Sequence, residues 1–232
     1  MKKFSLLFLV MAFSLVCACA PRLRANITGY LDKSSPSPIS PSSKICVIEN
    51  EQAVNPLLEK EVKTKITALL EGRGYSSASI DDADYFMFFG YGIGGPREVT
   101  INIPKVRYGF AKIGKYSLHS VGVRQGTARR QLHDRWLILN VIDGRKYRET
   151  GKTETVWVGE SNSAGTSSDM RMVINYMLVT VFEYFAKDTA EQLTVDIMKD
   201  DLRAKDLQTA GRPPIAPAQP AAPAPPGQAA ND

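Results

Sequence analysis

Apolar and polar positions change period several times along the chain, and each change predicts an element. A short apolar run at 45–48 reads as a strand. Leu57, Leu58, Val62, Ile66, Leu69 and Leu70 then recur three and four residues apart, while Glu59, Lys60, Glu61, Lys63 and Lys65 supply the opposite face, which predicts an amphipathic helix. Asn55-Pro56 starts it as a cap residue followed by a pre-set φ, and Gly72 and Gly74 stop it. Residues 83–91 are almost continuously apolar, as expected of a central strand buried on both faces. Between 96 and 131 short alternating stretches are broken by Gly109, Gly114, Gly122 and Gly126, predicting one or two hairpins or a long excursion. A strong strand at 136–142, a tight turn at Asp143-Gly144 and a partner strand at 153–160 follow. Ser167-Ser168-Asp169 then caps a helix expected to run to about Val195. This order predicts an α+β (α/β) two-layer sandwich: a sheet of four or more strands, two helices on one face, and a β-hairpin excursion.

The ends of the chain read differently. Lys2 and Lys3 precede an apolar run over 4–16, shorter than the ~20 residues that span a bilayer as a helix, which fits a signal peptide over 1–18. In Val16-Cys17-Ala18-Cys19-Ala20-Pro21 the expected lipidation site is Cys19, with an aliphatic residue three before it and a small one just before it. Cys17 fits less well, since Val16 would fill the small-residue slot. Ordinary secretion would cut after Ala20, where Pro21 is poorly tolerated. Ala20, rather than Asp, after the lipidated cysteine points to the periplasmic face of the outer membrane. Residues 19–43, rich in Ser and Pro, read as a tether; 44–204 as one domain; and 205–232 as a tail that Pro and Ala keep disordered, most strongly over 211–232.

A chain of 232 residues with 44 % hydrophobic and 23 % charged residues has a globular composition once the tails are set aside. With Cys19 consumed by lipid, the mature chain keeps Cys46 alone, in an apolar run, so no intramolecular disulfide is available. Gly90-Tyr91-Gly92-Ile93-Gly94-Gly95 has the glycine spacing of a dinucleotide loop, but no helix start follows to aim N–H groups at a phosphate. His119 and His133 lack metal-ligand spacing, and no Gly-x-Ser-x-Gly elbow occurs. No catalytic residue, metal or cofactor is therefore expected, and Trp157 reads as core.

Charge adds the one positive indication. Residues 97–148 carry twelve Lys and Arg against three Asp and Glu, although the whole chain is only +5. Arg124, Arg129, Arg130 and Arg135 form the candidate binding surface, for anionic headgroups, an envelope protein or peptidoglycan. The compartment argues against nucleic acid. The expected role is a non-enzymatic binding or envelope-assembly module, held to the membrane by its lipid. The alternatives are a regulator of a peptidoglycan synthase and an envelope hydrolase.

The lipidation pattern, Asn55-Pro56-Leu57-Leu58, Gly72-Arg73-Gly74-Tyr75, Ala83-Asp84-Tyr85 and Trp157-Val158-Gly159-Glu160 together resemble a family of bacterial lipoproteins with a periplasmic α/β domain of unknown function. The resemblance covers about residues 44–197 and brings no catalytic residues with it. More distantly, the strand, helix, strand order is similar to the periplasmic domains of the curli-secretion lipoprotein and of lipoproteins that activate peptidoglycan synthases. That likeness implies binding and assembly.

Overall fold

A computed structural model describes the backbone of residues 22–35, 39–113 and 116–210, and the side chains of the same residues apart from 104–124. Its strands are β1 (Arg22–Leu31), β2 (Lys44–Ile48), β3 (Ser76–Ser77), β4 (Tyr85–Ile113), β5 (Tyr116–Asp143), β6 (Thr155–Gly165) and β7 (Leu193–Met198). The helices are α1 (Pro56–Glu71), α2 (Gly144–Thr150), α3 (Ile174–Phe182) and α4 (Leu202–Thr209), with a 3-10 turn at Met170–Met172 before α3. The strands form one sheet in the order β3-β2-β4-β5-β6-β1-β7. Strand β2 is parallel to β3 and β4, and every other pairing is antiparallel, so the fold is α+β.

Alternation along the strands separates two apolar groups. Ile45, Tyr85, Met87, Leu137, Leu139, Trp157, Ala25 and Ile27 join Leu58, Val62 and Ile66 of α1 and Ile174, Met177 and Phe182 of α3 in the main core. Phe86, Ile142 and Ala83 point the other way, into a small cluster with Cys46 and Ile48. Each fully buried large side chain contributes on the order of 1.5–3 kcal/mol, so the main core carries the fold. Asn55 caps α1 as its sequence implies, its side chain accepting from the Leu58 N–H at 3.1 Å. Not every charged residue of α1 is on its wet face, however: Lys65 is 1 % exposed and donates to Glu61 at 2.5 Å. Leu57, placed on the apolar face by spacing, is exposed.

Five expectations are corrected. The tether assigned to 19–43 does not hold for Arg22–Leu31, which is strand β1, with Leu23, Ala25 and Ile27 in the core between β6 and β7. The long final helix is a 3-10 turn plus the nine residues of α3; the chain then turns, with Ala186 and Ala190 at positive φ, and returns as β7. The tail assigned to 205–232 begins inside α4, whose Ala204 and Leu207 are buried against the core. Asp143-Gly144 is no tight turn but the start of α2, the Asp143 carboxylate accepting from the Lys146 N–H at 2.8 Å. The strand starting at Tyr85 is buried on both faces only at first: Phe88, three residues on, is exposed. Cys19 and residues 211–232 lie outside the described residues.

Candidate functional site

Strands β4 and β5 outgrow the sheet. They pair in register from Tyr85↔Asp143 to Ile113↔Tyr116, with one irregularity between Ile93 and Pro96. Their other neighbours stop much sooner: β2 pairs β4 only as far as Phe88, and β6 pairs β5 only as far as His133. Beyond Pro96 and His133, among the described residues, the two strands form a ribbon whose outer edges pair with nothing else.

The glycine run at 90–95 belongs to this ribbon's base, and its first half has a packing role. A methyl group at Gly92 would lie 2.6–2.7 Å from the Trp136 indole, and one at Gly90 would lie 3.4 Å from it. The indole therefore lies across β4, where only glycines leave room, with two-fifths of Trp136 open to solvent. Gly94 and Gly95 fall at the irregularity in the pairing. The spacing that imitates a phosphate loop thus sits within a strand, with no helix after it.

A hollow of about 470 Å³ lies at the ribbon's root, between Trp136, Arg97, Asp134, Arg24, Asn26 and Asn162. Arg97 bridges to Asp134 at 2.9 Å, and Arg24 to Asp196 at 2.8 Å. Each arginine is stabilised in its charged form by hydrogen bonding to its carboxylate. Both pairs are exposed and worth little in stability, but they fix which donors face the hollow. A flat aromatic ring beside amides and guanidinium groups suits a polar, partly planar ligand or a peptide backbone.

Of the four arginines expected to share one surface, the three whose side chains are described, Arg129, Arg130 and Arg135, do not. Arg129 and Arg130 are exposed on the ribbon but adjacent in β5, so they project from its two faces. Arg129 lies 3.9 Å from Glu98. Arg135 is buried, its Nε and Nη2 donating to the Ser167 carbonyl oxygen. The Arg124 side chain lies outside the described residues. Period two already separates Arg129 from Arg130 in the sequence, whereas Arg22, Arg24 and Lys199 reach this end of the sheet through β1 and β7, which the sequence reading overlooked.

Among the described residues no group of three or more His, Cys, Asp and Glu converges, and no helix is long and apolar enough to cross a membrane. His133 lies at 3.5 Å from the Gly94 carbonyl oxygen. Tyr91 is half-buried near Glu59, and burial, with this carboxyl second, raises its phenol pKa. That arrangement disfavours a phenolate.

No protein-family model matches the chain, and neither does any curated protein. Several solved structures overlap it, two of them as follows. A PDZ domain protein from Parabacteroides distasonis is 13 % identical with a TM-score of 0.46, over 81 % of this chain and 42 % of its own, so the chain spans less than half of that protein. A PelC dodecamer from Paraburkholderia phytofirmans is 13 % identical with a TM-score of 0.36, over 69 % of this chain and 98 % of its own.

Proposed function

We propose that the protein is a lipoprotein anchored through Cys19 at the periplasmic face of the outer membrane, acting as a non-enzymatic binding or envelope-assembly module. In this reading the β4–β5 hairpin is its contact element. The observation that carries it is the pair of open edges on the ribbon. A two-stranded ribbon is marginally stable alone, and its unpaired N–H and C=O groups offer a template for a further strand. Residues 97–134 carry eight Lys and Arg against Glu98 and Asp134, a surplus that biases such pairing toward an acidic partner and against like-charged ones. The same reading takes α1 and α3 as one layer on the sheet, leaving the face with Trp136, Phe88 and Ile138 clear beside the ribbon. Its support is that both helices share the main core while these three side chains are exposed.

Two measurements test it. Mass spectrometry of the mature N-terminal peptide should find a diacylglyceryl group on Cys19; a free α-amino group at Pro21 would contradict the anchor. Material recovered with the tagged protein from crosslinked cells should contain one envelope protein or peptidoglycan fragment, lost when Arg129 and Arg130 become Gln. Equal recovery with and without those charges would remove them from the contact.

A further inference from the structure

Arg135 is a buried cation with no anion. It is 4 % exposed, and among the described residues no carboxylate pairs with it. Burial lowers its pKa, with no acidic neighbour opposing that. A buried charge is costly unless something compensates it, and one carbonyl oxygen is slight compensation. The seat is nonetheless specific. A side chain at Gly165 would bring its first carbon within 2.7 Å of the Arg135 Nη2, so β6 leaves the space empty for the guanidinium.

Beside Arg135 opens a second hollow, of about 340 Å³, which shares Arg24, Arg135 and Ala164 with the one beside Trp136. Arg22, Arg24, Arg135 and Lys199 line it with Thr166 and Ser167, and no acidic side chain does. Arg24 pairs with Asp196, whose carboxylate also attracts Arg22 at longer range, and among the described residues Arg22, Arg135 and Lys199 make no ion pair around the cavity. The Tyr176 hydroxyl donates to the Lys199 carbonyl oxygen at 2.8 Å, tying that end of β7 to α3. Arg135 Nη1 has no hydrogen-bond partner among the described residues. An anion with two adjacent oxygens would meet a guanidinium fork inside the cavity and two flexible charges at its rim.

The position of the hollow selects among anions. Arg22 is three residues after Cys19, so the covalent chain between them can span at most about 11 Å. A lipid on Cys19 would hold this end of the sheet against the membrane. We propose that the hollow around Arg135 takes the phosphate of an anionic lipid headgroup, orienting the domain on the membrane that anchors it. This rests on the anchor reading above.

The test uses the full-length protein purified in a neutral detergent, with its melting temperature measured against short-chain phosphatidylglycerol, short-chain phosphatidylcholine and inorganic phosphate. A ligand that binds only the folded state at about a hundredfold excess over its Kd should raise Tm by roughly 5–10 °C for a domain of this size. Phosphatidylglycerol should do so and phosphatidylcholine should not. Arg135→Gln removes the fork but disturbs a buried contact, so the deciding variant is Arg22→Gln/Lys199→Gln, which changes exposed residues and should abolish the shift. Arg145→Gln/Lys152→Gln, at the other end of the sheet, removes equal charge and should keep it. An equal shift with inorganic phosphate overturns the lipid assignment. No shift, or one that survives Arg22→Gln/Lys199→Gln, overturns the site. A shift in protein whose Cys19 carries no lipid would leave the site standing and the anchor reading refuted, whereas acylated protein without a shift would do the reverse.

Discussion

Gly159→Ala should be among the most damaging small substitutions in this protein. Gly159 faces Gly29 across the β1–β6 pair, and the fully buried Trp157 indole occupies the space that a side chain at Gly159 would fill. Its Nε1–H donates to the Lys187 carbonyl oxygen at 3.0 Å, and its ring meets Phe185 edge-on at 4.9 Å between centroids. A methyl on Gly159 would come 2.2 Å from Trp157 Cη2 and 2.7 Å from Cζ2. The ring cannot slide aside, because Phe185 and Lys187 hold it. Overpacking of this kind costs about 1–3 kcal/mol, and losing the indole hydrogen bond adds roughly 0.5–1.5 kcal/mol. At about 2–4 °C per kcal/mol for a domain of this size, Tm should fall by roughly 5–15 °C. Urea and thermal unfolding followed by circular dichroism measure this directly. The protein has two tryptophans, so a Trp136→Phe background lets fluorescence report on Trp157 alone. In Trp157→Phe, whose smaller ring leaves room, the added cost of Gly159→Ala should drop below about 1 kcal/mol. A Gly159→Ala protein within about 0.5 kcal/mol of wild type, or an undiminished penalty in the Phe background, would refute the reasoning.

The same logic separates two glycines of the 90–95 run: Gly92→Ala should destabilise and expose Trp136 further, read as a red-shifted emission in Trp157→Phe, whereas Gly95→Ala, with nothing within 4 Å of its added methyl, should be nearly silent in the same melts. Cys46 is half-buried and burial raises its thiol pKa, so peptide mapping should find it alkylated slowly by iodoacetamide at pH 8 in native protein and quickly in urea. The Arg203 guanidinium holds Asp201 below the usual carboxylate range, and Asp201 also caps α4. A depressed folded pKa stabilises fully above the unfolded value of about 3.9 and is lost as pH falls through the folded one. The stability gap between wild type and Asp201→Asn should therefore close as melts are run below about pH 4, and a gap independent of pH would count against the pairing.

How much was legible depended on whether local signals agreed with tertiary ones. Strand β2 and α1 were readable because Asn55-Pro56, the three-four spacing and Gly72 all pointed the same way. Strand β1 was not, although Leu23, Ala25 and Ile27 alternate with Arg24, Asn26 and Thr28: half of the strand is polar, and the Ser/Pro stretch after it made the whole segment look like a linker. The end of α3 carries no Gly or Pro. Apolar residues continue through Phe185, so the helical reading overran into β7, where Leu193, Val195 and Ile197 had already changed period. At the candidate site the basic bias was plain in the sequence. Its division between ribbon faces and a buried seat was not, since burial of Arg135 depends on Gly165 in another strand. The partner strand for the ribbon lies beyond any local pattern, because an open edge exists only once the sheet is built.

That open edge is the most direct thing to test. A photo-crosslinking residue placed at Thr100 of β4 or Arg130 of β5, on the ribbon, should capture one discrete envelope species in living cells, identified by mass spectrometry. The same probe at Glu71, at the end of α1, should capture nothing comparable. Discrete adducts from the ribbon alone are the expected result. No adduct from either ribbon position, or the same adducts from Glu71, would contradict the assignment of the ribbon as the contact element.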